Sequence, residues 1–247
     1  MHNAFIATTF DWDHRSPVAW QRFTNKVLKK LRIPVKLTPP QPQQANIEVR
    51  MNLFHLLDQT IAFNIPGDVV ELGCNDGDCT IVMRKMLDAM APQKELHAFD
   101  SFEGLPDLEE GDRRDGVYGK GSMAVPAERL IGKFNQLGLK LPHLHKGWFS
   151  ETVPKELPDK ISFALIDGDL YSSTMDVLPH VYARMVPGAI GMIAVYVDEA
   201  VFPRPGLQGY YRSPGVKRAV DEFFADKPEQ VNLLYSCENS NAYFRKR

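Results

Sequence analysis

Short apolar runs alternate with longer amphipathic stretches along most of the chain. Apolar runs of about four to eight residues between turn residues favour strands, and apolar residues three or four positions apart favour helices. The predicted strands cover 69–72, 95–99, 142–146, 161–166, 190–197, 231–235 and 242–244, and the predicted helices cover 45–65, 80–90, 127–137, 174–185 and 216–224. Strands that alternate with helices build parallel sheets covered on both faces. The pattern therefore predicts a doubly wound α/β fold with a mostly parallel, seven-stranded sheet whose last two strands are antiparallel.

Residues 1–45 are predicted to form an N-terminal helical arm ahead of a domain that spans residues 46–247. A basic run at 26–36 could suggest an acidic partner, but a solvated helix face is the simpler interpretation. Prolines and glutamines at 39–44 then interrupt regular structure. The helix that follows carries an apolar stripe expected to pack on the domain: Ile47, Met51, Phe54, Leu57 and Ile61. We expect the arm to contribute to a homo-oligomer.

A ligand loop is predicted where the first strand ends. Two glycines, Gly73 and Gly77, bracket small and polar residues between this strand and an amphipathic helix. Glycine lets the backbone approach a ligand without a Cβ in the way. Asp100 ends the next predicted strand, where a carboxylate can bind both hydroxyls of a ribose. A tight turn that binds nothing would explain the glycines alone, but together with Asp100 they predict a nucleotide-type cofactor.

The residues around this loop favour S-adenosylmethionine over a dinucleotide. The dinucleotide fingerprint G-x-G-x-x-G needs a glycine two positions after the first, and Asn75 occupies that position. Glu71 precedes Gly73 by two residues, and a carboxylate there can reach the region of the cofactor's methionine ammonium.

Polar or aromatic residues follow each of the first five predicted strands, at 71–78, 100–103, 148, 167–169 and 198–199. Ligands of open α/β sheets bind outside the carboxyl ends of the strands, so one crevice is predicted. Trp148 and Phe149 could cover an adenine, with a core position as the equal alternative. His143 and His145 share a strand face without a third ligand at metal spacing, so structural roles are the simpler interpretation. The charged, glycine-rich connection 101–125 is typical of a lid or of a disordered loop.

The composition excludes several function classes. The chain is 44% apolar and 24% charged with a net charge of −2, so it gives no reason to expect nucleic acid or an anionic membrane as a partner. No apolar run approaches the roughly 18 residues that span a bilayer. Three cysteines are too few for a disulfide framework, and they favour a reducing, cytoplasmic environment.

Five stretches together resemble the macrocin O-methyltransferase family, whose members use S-adenosylmethionine to methylate sugar hydroxyls on antibiotics and related natural products. They stand in the family's order and cover about residues 46–224. The stretches are GDVVE at 67–71, HAFDSFEGLP at 97–106, GWF at 147–149, DGDLYSST at 167–174 and VKRAVDEF at 216–223. Any one of them is unspecific, but the set is specific.

The resemblance implies a class I methyltransferase (Rossmann-like) fold and a divalent cation, usually Mg²⁺, beside the cofactor. It implies that Asp167 is a metal ligand and that Asp169 is the general base, with Gly168 letting the chain leave strand geometry between them. A cation lowers the pKa of a hydroxyl and a carboxylate takes the proton as the methyl group transfers. The predicted cofactor-binding residues are Glu71, Gly73, Asn75, Gly77, Thr80, Asp100, Ser101, Phe102, Gly147, Trp148, Phe149 and Asp167.

The sequence departs from the family at the end of the fifth strand. Counted from Pro187-Gly188 without a gap, the family's paired aspartates fall on Ala194 and Val195, which cannot bind a cation. Asp198 and Glu199 follow, and if the turn is longer here they complete a metal site with Asp167. We favour this insertion because Asp198 follows the apolar run, as a strand-end ligand should. Without it, the metal site is dismantled.

The sequence therefore predicts an S-adenosylmethionine-dependent O-methyltransferase whose acceptor is a hydroxyl of a sugar or another small natural product. The lost aspartates keep one alternative open, a metal-independent relative with a different reaction on a bound small molecule. A non-catalytic binding protein is the other alternative.

Overall fold

The computed structural model of the protein describes residues 19–33, 47–112, 119–196, 214–234 and 240–247. Within these ranges, helices and strands alternate. The helices are α1 Ala19–Lys30, α2 Ile47–Ala62, α3 Asp78–Met90, α4 Ala127–Leu137, α5 Phe149–Glu156, α6 Tyr171–Arg184 and α7 Pro214–Phe224. The strands are β1 Asp68–Leu72, β2 Leu96–Asp100, β3 His143–Lys146, β4 Ile161–Ile166, β5 Met185–Ile193, β6 Asn232–Leu234 and β7 Asn241–Arg245.

The strands form one seven-stranded sheet in the order β3-β2-β1-β4-β5-β7-β6. β1 pairs in parallel with β2 on one side and with β4 on the other, whereas β7 runs antiparallel to β5 and β6. The predicted doubly wound, mostly parallel sheet is confirmed. Because β1 to β5 are parallel to one another, their carboxyl ends lie at the same edge of the sheet, where such folds bind ligands.

The core lies on both faces of the sheet because side chains alternate along each strand. Every residue of β4 is buried. Phe163 and Leu165 pack on the side covered by α2, α3 and α4. Ala164 and Ile166 pack on the other side, under α5, α6 and α7. All residues of β4 except Ser162 are apolar, as is typical of a strand covered on both faces.

Some predicted details are wrong. Met51, expected in the buried stripe of α2, is 41% exposed, whereas Val49 and Leu53 are buried beside the correctly predicted Phe54 and Leu57. The pattern does not predict α5, which is eight residues long and contains Pro154. β5 begins at Met185, earlier than predicted, and its register with β4 is irregular near its start.

The predicted division at residue 45 stays a prediction, since residues 1–18 and 34–46 lie outside the described residues. None of the helices in the described ranges has both the length and the apolar character needed to cross a membrane.

Candidate active site

A cleft of about 580 Å³ opens at the carboxyl ends of the parallel strands. It is lined by nine of the predicted site residues: Gly73, Asn75, Asp100, Ser101, Gly147, Trp148, Phe149, Asp167 and Asp169. They come from the ends of β1, β2, β3 and β4 and are far apart in the sequence. The prediction that these strand ends share one crevice is therefore confirmed for these nine residues.

Gly73 brings the loop after β1 against the end of β4. Its φ is +94°, and a Cβ at this position would lie 2.0 Å from the carbonyl oxygen of Asp167. Its N–H donates to the carbonyl of Phe99 at 2.9 Å. A side chain at this position would push the loop and the β4 end apart, so glycine is required for the contact.

Asp100, at the end of β2, is held in a fixed orientation. Its Oδ2 accepts the backbone N–H of Asn75 at 2.8 Å, and its Oδ1 accepts that of Phe102 at 2.7 Å. Burial raises the pKa of Asp100, and these two hydrogen bonds act in the opposite direction. Each carboxylate oxygen keeps a further lone pair, so Asp100 can still accept hydrogen bonds from a ligand.

Asn75 joins the loop after β1 to the wall of the cleft. Its Nδ2 donates to the carbonyl of Met123 at 2.9 Å, and its Oδ1 accepts the N–H of Asp76 at 2.7 Å. Met123 belongs to the long connection after β2, whose residues Leu105, Glu109 and Lys120 also line the cleft. The described parts of this connection thus form a wall of the site, while residues 113–118 lie outside the described residues.

Asp112 anchors that wall and was not predicted from the sequence. It is 1% exposed, and it accepts hydrogen bonds from the N–H of Ser172 at 3.0 Å and from its hydroxyl at 2.7 Å. It also accepts the N–H of Glu109 at 3.0 Å. Ser172 stands in the first turn of α6, where a carboxylate is favoured by the free N–H groups. A single acidic residue in a charged loop carries no sequence signal of such burial.

Asp167 and Asp169 follow β4 and are both half-buried. The chain does leave strand geometry here, but the residue with a left-handed backbone is Asp169 (φ 59°) rather than Gly168. Burial raises the pKa of Asp169 to about 7, with the charge of Asp100 adding to the effect. Burial also raises the pKa of Asp167 well above its ordinary value, as do the neighbouring charges of Asp169 and Asp100.

Four predicted cofactor residues, Glu71, Gly77, Thr80 and Phe102, do not line the cleft. Glu71 is 1% exposed and accepts a hydrogen bond from the hydroxyl of Thr80. Burial raises the pKa of Glu71 to about 8, because the hydrogen bond from Thr80 offsets only part of the cost of charging it and nearby carboxylates add to that cost. Thr80 is therefore turned toward Glu71, and Gly77 faces Leu130. A direct contact between Glu71 and a cofactor stays a prediction.

At the predicted metal site, the end of β5 that lies beside the end of β4 is apolar. The parallel register pairs Ile166 with Ile193, and the N–H of Ala194 donates to the carbonyl of Ile166 at 2.9 Å. Val195 lines the cleft with a left-handed φ of 57°. Asp198 and Glu199 lie outside the described residues. Among those described, no three histidine, cysteine or acidic side chains are grouped so that they could hold a metal ion.

Comparison with known proteins points to one family. The sequence profile of the Macrocin-O-methyltransferase (TylF) family matches residues 13–246. A demethyldecarbamoylnovobiocin O-methyltransferase of Streptomyces niveus is 30% identical over 203 residues, which cover 79% of this chain and 72% of the relative. A rhamnosyl-tetracenomycin-C 4'-O-methyltransferase of Streptomyces olivaceus is 31% identical over 179 residues, covering 69% of this chain and 68% of the relative. A mycinamicin III 3''-O-methyltransferase of Micromonospora griseorubida is 30% identical over 183 residues, covering 69% and 70%.

Solved structures share the fold. The O-methyltransferase NovP superposes with a TM-score of 0.71 at 23% identity, covering 98% of this chain and 96% of that one. The O-methyltransferase TomG from Streptomyces achromogenes, solved in complex with SAM, superposes with a TM-score of 0.53 at 13% identity, covering 98% and 95%.

Proposed function

The chain belongs to the macrocin O-methyltransferase family, and from this membership we propose that it transfers a methyl group from S-adenosylmethionine to a hydroxyl of a sugar or another small natural product. One observation carries the proposal: Asp100, Gly73 and the pair Asp167 and Asp169 line a single cleft. A ribose-binding carboxylate, a close backbone approach and a candidate base are thereby available to one bound cofactor and one acceptor. The curated relatives are all named as O-methyltransferases of natural products.

The residues after β1, β2 and β3 would hold the cofactor. Asp100 would accept the ribose hydroxyls, because its orientation is already set by two backbone N–H groups. Gly73 leaves room for close approach. Trp148 and Phe149 line the cleft beyond Asp100 and offer aromatic faces to an adenine. When bound, S-adenosylmethionine supplies an electrophilic methyl group on a sulfonium.

Asp169 is the proposed general base. It lines the cleft, and its pKa of about 7 is matched to accepting a proton at neutral pH. The carboxylate would take the proton of the acceptor hydroxyl as the oxygen forms its bond to the methyl carbon. The bond between that carbon and sulfur would break in the same step, with S-adenosylhomocysteine as the leaving group. Burial, and after it the charge of Asp100, raise the affinity of Asp169 for that proton.

A cation site would need Asp198 and Glu199 beside Asp167, and these two residues lie outside the described residues. Asp167 and Asp169 are carboxylates, but the adjoining β5 end presents Ala194 and Val195. Activity that survives treatment with EDTA and dialysis would favour the metal-independent alternative. If activity is lost and Mg²⁺ restores it, Asp198 and Glu199 would be the next ligands to test by substitution.

Two further proposals rest on the sequence alone. The N-terminal arm suggests a homo-oligomer, which sedimentation equilibrium tests directly. The three cysteines favour a cytoplasmic location.

Calorimetric titration with S-adenosylhomocysteine tests the proposed function, followed by mass spectrometry of glycosylated acceptors incubated with S-adenosylmethionine. We expect saturable binding and the addition of one methyl group to a sugar-bearing acceptor. If S-adenosylhomocysteine fails to bind at high micromolar concentration, the proposal is wrong.

A further inference from the structure

Two acidic residues of the cofactor loop, Asp76 and Asp78, have no part in the mechanism above. Both are buried, at 6% and 3% exposure. Lys133 of α4 places its Nζ 2.8 Å from Oδ2 of Asp76 and 2.8 Å from Oδ1 of Asp78. The lysine is itself only 8% exposed. One ammonium group from a distant helix thus joins both carboxylates of the loop.

The rest of α4 supports the same contact. Leu130 packs on Gly77, where a Cβ would lie 2.8 Å from the Cγ of Leu130. Arg129 approaches Oδ2 of Asp76 at 3.4 Å, but its side chain is 55% exposed, so this ion pair contributes little. Lys133 is therefore the main cation that α4 brings to the loop.

The conformation of the loop decides what the cleft can bind. Gly73 and Asn75 line the cleft, and the N–H of Asn75 orients Asp100. Asp76 and Asp78 follow directly, on the part of the loop that leads into α3. Asp78 also interacts with the charge of Arg50 in α2, so the loss of Lys133 would fall mainly on Asp76. Removing one partner of a buried ion pair costs about 3–5 kcal/mol and favours conformations that expose the remaining charge to water. The ion pairs of Lys133 therefore favour the loop conformation in which Gly73 and Asn75 line the cleft.

We propose that Lys133 is a positioning residue that holds loop 73–78 in the conformation that binds S-adenosylmethionine. The proposal rests on the proposed function, since it assumes that this loop is the cofactor loop. Lys133 does not line the cleft, so it acts through Asp76 and Asp78 and not by touching the cofactor.

The test is the S-adenosylhomocysteine Kd of Lys133→Met, measured by calorimetry at a temperature where the variant is folded. If about one molecule in ten keeps the loop in place, the Kd rises about tenfold. Lys133→Arg keeps a cation between the two carboxylates and should bind within about twofold of the wild type. Lys140→Met is the control, because Lys140 is an exposed lysine paired with Glu95 at 2.6 Å, and it should bind as the wild type does.

The outcomes separate this inference from the function on which it rests. If the wild type does not bind S-adenosylhomocysteine, the proposed function fails. If the wild type binds it and Lys133→Met binds it equally well, with only its melting temperature lowered, Lys133 is merely structural and the inference is overturned. Should Lys133→Met not fold, Asp76→Asn takes its place: it leaves Lys133 paired with Asp78, and we expect about threefold weaker binding. Unchanged binding by that variant would then overturn the inference.

Discussion

At Gly73 the loop after β1, residues 73–78, is in backbone contact with the end of β4. The contact depends on a missing side chain, because a Cβ would lie 2.0 Å from the carbonyl oxygen of Asp167. Backbone atoms cannot move aside as the end of a flexible side chain can. The left-handed φ of +94° adds a conformational cost for any other residue.

Gly73→Ala is expected to weaken S-adenosylhomocysteine binding at least tenfold, since the loop must move away from Asp167 to admit the methyl group. Calorimetry measures the change. Gly132→Ala is the matched control: Gly132 lies within α4 with open space around its Cβ position, so the protein should bind normally and be as stable or slightly more stable. Wild-type affinity in Gly73→Ala would show that the loop does not meet the cofactor.

Residue type and strand position made much of the site predictable. Gly73, Asp100 and Asp167 each follow an apolar run, and the carboxyl ends of parallel strands converge. Contacts made inside a loop could not be predicted in this way. Nothing in the sequence around Asp112 indicates that its carboxylate is buried against the first turn of α6, because that depends on how the long connection folds.

At the scale of elements, Asp112 fixes the connection after β2 against α6. Asp112→Ala leaves the N–H and hydroxyl of Ser172 without their acceptor, so the free energy of unfolding should fall by about 1–3 kcal/mol. Urea unfolding measures it. Asp107→Ala is the control, because Asp107 is 80% exposed in its pair with Lys120 and should change stability by less than about 0.5 kcal/mol. Equal effects in the two variants would show that Asp112 is not an anchor.

Strands β2 and β3 share a ladder of histidines. His97 Nδ1 lies 3.1 Å from Nε2 of His145, whose other ring nitrogen lies 2.7 Å from Glu156. The ring of His143 stacks on His97 at 4.8 Å. Burial lowers the pKa of His97 to about 4, and the charges of His143 and His145 act in the same direction. The surroundings of His97 in this ladder therefore favour its neutral form.

This ladder predicts a pH dependence of stability. The pKa of His97 falls from 6.5 in the unfolded chain to about 4 in the folded protein, so the unfolded state binds the proton more readily. The stabilisation is complete above about pH 6.5 and is lost as the pH falls toward 4. Between pH 7 and pH 4.5 the free energy of unfolding should fall less in His97→Asn than in the wild type, by up to about 3 kcal/mol. Urea unfolding of both proteins at the two pH values measures this difference. An identical pH profile in wild type and variant would contradict this account.

Hydrophobic periodicity predicted most of the elements but not all of their bounds. The strand Ile161–Ile166 was predicted correctly because all of its residues except Ser162 are apolar, as burial on both faces favours. The α5 helix was missed because it is short and contains Pro154. The buried face of α2 was misjudged because Met51 and Leu53 are both apolar, and only packing distinguishes them.

At the scale of the whole molecule, the sheet brings residues that are far apart in the sequence together at one site. The parallel strands bring Asp100 from β2 and Asp169 from the turn after β4 to the same cleft. The two carboxylates differ in their surroundings. Asp100 is oriented by two N–H groups, whereas Asp169 follows β4, which lies on the other side of β1 from β2. Binding and proton removal should therefore be separable by substitution.

The most direct test is S-adenosylhomocysteine affinity and methyl-transfer turnover measured side by side in Asp100→Asn and Asp169→Asn. Asp100→Asn should weaken binding about tenfold or more, since one acceptor for the ribose is lost. Asp169→Asn should bind as the wild type does and lose at least about a hundredfold in turnover, as expected when a general base is removed. If Asp169→Asn turns over normally, or if both variants bind like the wild type, the two carboxylates do not serve one cleft and the account is wrong.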